Sequence, residues 1–331
     1  MKALEFLEKE NKLKFINQTL LPFNEEYVIT DDYERIALAI ERLEIRGAPA
    51  IGIAASYAVA LSVKHHENKD KKIFADVIKR LRKTRPTAVN LFWALEIMEE
   101  EFLKASDGNL FNILLAKAKN LHKDDIRRCN LIAENGLKIF RKKSIVLTHC
   151  NTGFLATGGE GTALNVIKKA FANDLIELVY VDETRPLLQG SRLTAFELDK
   201  ANIPFKIITD SMAAFVLKNY DVDLVIVGAD RITSNGDSAN KIGSYNLAIA
   251  SAYHNVPFYI AAPKSTIDNS ITNGSEIRIE YRDKEEIIKI GDTNITRSDY
   301  DSLNPSFDVV PSNLISGIIT EESLWNFPYK F

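Results

Sequence analysis

The spacing of apolar residues changes once along the chain, near Lys143. Before that point apolar positions recur mostly at helical intervals, and after it they gather into short runs of strand length. Residues 1–30 read as short strands and turns around Leu21 and Pro22. From Asp31 or Asp32, either of which suits an N-cap, the spacing predicts a helix with Ile36, Ala39, Ile40 and Leu43 on one face. Pro49 suits the first turn of a second, alanine-rich helix ending near Val63. Further helices are predicted over Lys71–Lys83, Leu91–Leu103 and about 110–140, the last with Leu114, Ala118, Leu121, Ile132 and Leu137 as core positions. The first part of the chain is therefore mainly helical.

Beyond Lys143 the apolar runs fall at 145–149, 178–181, 205–209, 223–228 and 257–262, separated by helical segments. This spacing is that of βαβ units, and it predicts an α/β fold with a parallel sheet. The boundary is placed at 125/126 inside a helical connector, giving a helical N-terminal domain (1–125) and a sheet domain (126–331). Each run ends in polar or small residues: Thr148-His149-Cys150-Asn151, Asp182-Glu183-Thr184, Thr209-Asp210-Ser211, Gly228-Ala229-Asp230 and Ala261-Ala262-Pro263. Open parallel sheets bind ligands beyond the carboxyl ends of their strands, so these ends mark the expected site.

The stretch from Ser144 to Ile167 condenses this pattern. A strand runs into Cys150, a loop with Gly153, Gly158, Gly159 and Gly161 follows, and a helix starts at Thr162. Such a turn can cradle an anion on backbone N–H groups. A lone cysteine is as a rule a small buried hydrophobe. Cys150 departs from that rule by ending a strand before a glycine-rich turn, where N–H groups can stabilise a thiolate. Cys129, inside a helical segment, reads as structural.

Asp230 follows the apolar run ending at Val227. An aspartate there often only caps a turn. The polar stretch after it, with Asn235, Asp237, Asn240 and Lys241, reads as a long loop over the same sheet edge. A partly desolvated Asp230 would donate a proton near neutral pH. Arg46 and Arg85 stand at helix boundaries, where a side chain and backbone N–H groups can hold a phosphate together, and Lys241 is a further cation. Gln189 offers a hydrogen bond to a sugar hydroxyl.

Composition narrows the chemistry. Apolar residues are 46% of the 331 and charged residues 26%, ordinary for a globular protein with a packed core. A net charge of -3 gives no sign of a nucleic-acid or anionic-membrane partner. Two cysteines do not make a disulfide framework, the N-terminus has no signal-peptide apolar block, and no run approaches a membrane span. A cytoplasmic chain is expected. Leu164 stands where GxGxxG would need a third glycine, and no Walker loop or GxSxG elbow is present. His65, His66, His122, His149 and His254 form no metal-ligand pattern. Phosphorylated small molecules remain as ligands, with no cofactor and no metal expected.

Several strings stand in one order: IRGAPAIG (45–52), RPTAVNL (85–91), THCNTG (148–153), DETRPLLQG (182–190), VIVGADRI (225–232), ANKIG (239–243) and NPSFDV (304–309). Together they resemble the methylthioribose-1-phosphate isomerases over roughly residues 10 to 325. The wider family includes isomerases of ribose 1,5-bisphosphate and 5-deoxyribose 1-phosphate. It also includes regulatory subunits of the eukaryotic translation-initiation exchange factor, which are similar in fold rather than in the cysteine motif. The resemblance implies a Rossmann-like C-terminal domain, a smaller N-terminal domain, a homodimer and an aldose–ketose isomerase of methionine salvage. It implies Cys150 and Asp230 as the catalytic pair, and Arg46, Gly47, Ala48, Arg85, Gln189, Asn240 and Lys241 as substrate-binding residues. Phe154, Asn165 and Tyr281 depart from the family pattern, and Phe154 is expected to narrow the pocket near the 5-substituent.

Overall fold

In the computed structural model the described residues are 1–64, 70–85, 89–105 and 109–331. His65, His66, Pro86 and Thr87 lie outside them. The chain forms two compact units: residues 1–130 with 153–161, and residues 131–152 with 162–331.

The first unit opens with an antiparallel sheet of β1 (Leu4–Leu7), β2 (Lys12–Ile16) and β3 (Tyr27–Thr30). Helices α1 (Tyr33–Glu41), α2 (Ala48–Ser62), α3 (Lys71–Arg82) and α4 (Val89–Lys104) follow, then α5 (Leu110–Gly136), which runs on into the second unit. Asp32 caps α1 by accepting the N–H of Glu34. Leu43 lies past the end of α1 at positive φ rather than on its inner face. Every residue of α2 from Ala50 to Leu61 is buried, so this helix is the unit's central element, packed between α1 and α4. Its small side chains let neighbours approach closely. Of the core positions expected in α5, Leu114, Ala118 and Ile132 are buried, and Leu121 and Leu137 are half-buried.

The second unit is built on β4 (Ser144–Thr148), β5 (Ile176–Asp182), β6 (Phe205–Ile208), β7 (Leu224–Val227) and β10 (Phe258–Ala261). A hairpin of β8 (Arg231–Thr233) and β9 (Ser238–Lys241) lies between β7 and β10. After β10 come β11 (Ile267–Asp268), a small hairpin of β12 (Lys289–Ile290) and β13 (Thr293–Asn294), and β14 (Phe307–Val310), β15 (Gly317–Ile319) and β16 (Leu324–Trp325). The main sheet runs β16-β15-β10-β7-β4-β5-β6, parallel throughout except for the edge strand β16. Counting its six parallel strands in chain order, the order is 3-2-1-4-5-6 from the β6 edge, that of a doubly wound Rossmann-type sheet. Alternate strand residues feed two cores. Val146, Val179 and Leu224 join α6 (Ala163–Ala172) and α7 (Ala195–Lys200) on one face. Leu147, Tyr180 and Val225 join α8 (Ala213–Asn219) and α9 (Ser244–Tyr253) on the other. The direction of the chain's winding reverses between β4 and β7, and a crevice opens at such a point.

Candidate active site

The carboxyl ends of β4 and β7 carry Cys150 and Asp230, so the two flank the point where the winding reverses. Just past them the chain segments touch: a Cβ added to Gly228 would lie 2.6 Å from the methyl of Thr152. Cys150 is 7% exposed and sits at φ 63, in the left-handed region that side-chain-bearing residues seldom enter. Its N–H donates to Thr184 Oγ1 at 2.9 Å, and its carbonyl accepts from Thr194 Oγ1 at 2.6 Å. Asp230 is half-buried, and its N–H donates to Ala239 O at 2.9 Å.

The polar stretch after Asp230 is not the long loop the sequence suggests. It is the β8–β9 hairpin, pinned by Asp237, whose carboxylate accepts the N–H groups of Gly274 and Ser312. This register brings Asp230 beside Ala239 and thus next to Asn240 and Lys241 in β9. Asn240 is buried, with its Nδ2 donating to Ser244 Oγ at 2.8 Å. The Lys241 ammonium lies over the Phe307 ring, 4.9 Å from its centroid. Asp308 caps α9 by accepting from Gly243 N and Tyr245 N. Gln189 is buried at the start of a single π-helical turn, Gly190–Thr194, a form of helix often found at functional sites. Among the described residues its Oε1 has no hydrogen-bond partner.

Beneath Cys150 lies a network that sequence reasoning left unassigned. His149 Nδ1 is 2.9 Å from Asp182 Oδ2, and His149 Nε2 is 2.9 Å from Ile242 O. Burial opposes a charge on His149, but the hydrogen bond and charge of Asp182, together with the charge of Asp210, raise its pKa overall. Burial also raises that of Asp182, whose Oδ1 makes no hydrogen bond among the described residues. His149, Asp182 and Asp210 each bring a potential ligand atom within 4.8 Å of the others. Both His149 nitrogens are already engaged, however, and both Asp210 oxygens accept backbone N–H groups, from Thr184 and Arg185. Apart from Asp182 Oδ1, the ring nitrogens and carboxylate oxygens of the cluster are thus engaged in hydrogen bonds. Asp182, Thr184 and Asp210 were legible only as polar strand ends; which of them face one another is decided by the strand order.

Part of the backbone of the glycine-rich loop is already engaged within the protein. Residues 153–161 belong to the first unit. Gln18 Nε2 donates to Leu155 O at 2.7 Å, and His122 Nε2 lies 3.0 Å from Gly158 O. The Gly158 N–H donates to the Asp125 carboxylate at 2.8 Å and so is not open to an anion. In the second unit the Leu164 N–H, at the start of α6, is taken by Thr152 Oγ1. Phe154 is buried in a short 3-10 turn of this loop.

Arg46, Gly47, Ala48 and Arg85 are in the first unit. Gly47 is the residue before α2, at φ 91, and a Cβ there would lie 2.4 Å from Ala156 Cα. The glycine of the IRGAPAIG string is therefore required by packing, whatever else it does. Arg46 precedes it, Ala48 opens α2, and Arg85 follows α3; both arginines are half-buried.

Residues 44–326 match the model of the initiation factor 2 subunit family. The chain belongs to this family. Among its relatives is the methylthioribose-1-phosphate isomerase of Carboxydothermus hydrogenoformans, 46% identical over 97% of this chain and 95% of that one. The protein of the same name from Heliobacterium modesticaldum is 47% identical, with the same coverage. The crystal structure of 5-methylthioribose 1-phosphate isomerase from Pyrococcus horikoshii OT3 matches with a TM-score of 0.91 at 37% identity, over 99% of this chain and 93% of that one. That of translation initiation factor eIF-2B, subunit delta, from A. fulgidus matches with a TM-score of 0.86 at 38% identity, over 99% and 97%.

Proposed function

We propose that this chain is an aldose–ketose isomerase that converts 5-methylthioribose 1-phosphate to 5-methylthioribulose 1-phosphate in methionine salvage. The observation that carries the reading is identity of about 45% over nearly the whole length to proteins named for this activity. The placement of Cys150 and Asp230 at the switch point of the sheet supports it. The reading extends to a homodimer in the cytoplasm that needs no cofactor.

The substrate's anomeric oxygen is phosphorylated, so its ring cannot open through a free hemiacetal. In our mechanism Asp230, as general acid, protonates the ring oxygen while the anomeric oxygen stays bonded to phosphorus. A C2 hydrogen then reaches C1 by one of two routes. Cys150 as thiolate removes it as a proton and returns it to C1 through an enediol-like species, or it shifts as hydride while Cys150 polarises the site. In either route the C2 hydroxyl gives up its proton to the Asp230 carboxylate as C2 becomes the carbonyl, which restores the acid. Arg46, Gly47, Ala48, Arg85, Gln189, Asn240 and Lys241 are the proposed substrate-binding residues. The buried oxygen of Gln189, without a hydrogen-bond partner among the described residues, supports its place among them.

The test is turnover of 5-methylthioribose 1-phosphate by wild type, Cys150→Ser and Asp230→Asn. Wild-type turnover with both variants impaired is expected. Equal inactivity of all three, with wild type still binding the sugar phosphate, would support a regulatory subunit instead. Comparable turnover of 5-deoxyribose 1-phosphate would show the substrate assignment to be too narrow. With C2-deuterated substrate, full retention of deuterium argues against the proton route.

A further inference from the structure

We propose that Thr184 and Thr194 are positioning residues for Cys150, their two hydroxyls gripping its peptide on either side and holding it in the left-handed conformation that presents the thiol. For its turnover arm the proposal rests on the isomerase reading. Its other arm does not.

The backbone of Cys150 is at φ 63, and a cysteine stays there only if its surroundings over-determine it. Gly or Asn is the usual occupant of such a turn. Here the two backbone groups of Cys150 are each bound by a buried threonine hydroxyl. Thr184 is 0% exposed and Thr194 1% exposed, so bulk water does not reach them to replace either bond. The Thr184 hydroxyl has one hydrogen, donated to Asp182 O at 3.0 Å, and it accepts the Cys150 N–H on a lone pair. The Thr194 hydroxyl donates its hydrogen to Cys150 O and accepts from Asn151 Nδ2 at 3.3 Å. Each hydroxyl thus has its one hydrogen committed.

The grips are themselves braced. Thr184 is left-handed too, at φ 65, and its N–H donates to Asp210 Oδ1 at 2.8 Å. The neighbouring Arg185 N–H donates to Asp210 Oδ2 at 2.7 Å. Thr194 closes the π-helical turn, and Asn151 is held in turn by Glu197 at 2.9 Å. Any buried turn needs partners for its backbone groups. Here two left-handed residues and a π-helical turn supply those partners, and they converge on a residue whose side chain is a nucleophile.

Valine has nearly the shape of threonine without the hydroxyl, and serine keeps the hydroxyl. Thr184→Val and Thr194→Val are expected to lower kcat by about 10²-fold with KM nearly unchanged, since a small misplacement of a reacting group costs on that order. Thr184→Ser and Thr194→Ser should restore most of the loss. Wild-type kcat in both valine variants would overturn the proposal, as would a loss that serine does not restore in variants with wild-type melting temperature. The second arm needs no turnover: native alkylation of Cys150 by iodoacetamide, followed by mass spectrometry. The valine variants should change its rate by about tenfold or more, in either direction, and the serine variants should keep it. An unchanged rate in folded valine variants overturns the clamp. Inactivity of the wild type with an altered alkylation rate overturns the isomerase reading and leaves the clamp standing.

Discussion

His149 and Asp182 share one buried proton. The Nε2 of His149 faces the carbonyl of Ile242, which can only accept, so Nε2 carries a hydrogen. The contact of Nδ1 with Asp182 then holds a single further proton, either on the ring or on the carboxyl. Both forms leave the pair without net charge, which suits its burial. The raised pKa values of the two partners say the same of the pair: it keeps its proton to higher pH than the unfolded chain would.

The pair therefore sets a sign for the pH dependence of stability. Unfolded, His149 loses its proton through the ordinary value of 6.5, and folded, the pair holds it beyond that. The stabilisation is fully present below 6.5 and is lost as pH rises through the folded pKa. Asp182→Asn should reverse this. Its amide can donate to Nδ1 of a neutral His149, so geometry is kept, but a buried imidazole without a carboxylate resists protonation. Stability of the variant should then fall as pH drops below 6.5. Urea titrations between about pH 5.5 and 8.5 read the two slopes, each limited to about 1.4 kcal/mol per pH unit for one proton. Parallel slopes for the two proteins would refute the shared proton.

Gly190→Ala tests the tightest approach near the site. Its Cβ would lie 1.7 Å from the carbonyl oxygen of Asp182, a backbone atom that cannot move without disturbing β5. A destabilisation beyond about 4 kcal/mol is expected, seen as loss of soluble protein or of a cooperative melt. Gly291→Ala is the control: among the described residues nothing lies within 4 Å of its Cβ, although φ is 58, so a cost of about 1 kcal/mol is expected there. Equal melting temperatures for the two variants would contradict the packing described.

Cys129 should be silent to thiol reagents in the native protein. Burial, with the charge of Asp125 beside it, pushes its thiol up to about 12. Ellman's reagent at about pH 8 should therefore react with no more than one thiol until denaturant is added, and with both cysteines afterwards. Fast native labelling of Cys129, located by mass spectrometry, would show that the helix around it opens.

Much of the scaffold was legible because apolar periodicity reports burial directly. The five strand runs became β4, β5, β6, β7 and β10, and Asp32, Pro49 and Thr162 stand at the helix starts expected of them. The polar strand ends were legible as a set. Their partners were not, because the pairing of His149 with Asp182, or of Thr184 with Cys150, depends on the strand order rather than on local spacing. In sequence the β8–β9 hairpin resembles a loop because its residues are polar and its strands short. A run of glycines in 153–161 suggests open N–H donors and does not reveal that Asp125 takes the N–H of Gly158.

Residues 153–161 also decide how this chain can be cut and made. Neither unit is a continuous stretch of sequence. A fragment covering only 1–130 lacks the segment that Gln18, Gly47 and His122 pack against. A fragment covering only 131–331 carries that segment with Phe154, Leu155 and Ala156 stripped of the residues that bury them. On the ribosome the N-terminal unit cannot be completed until β4 has been made and residue 161 has emerged, so the two units are tied to one another in the order of synthesis.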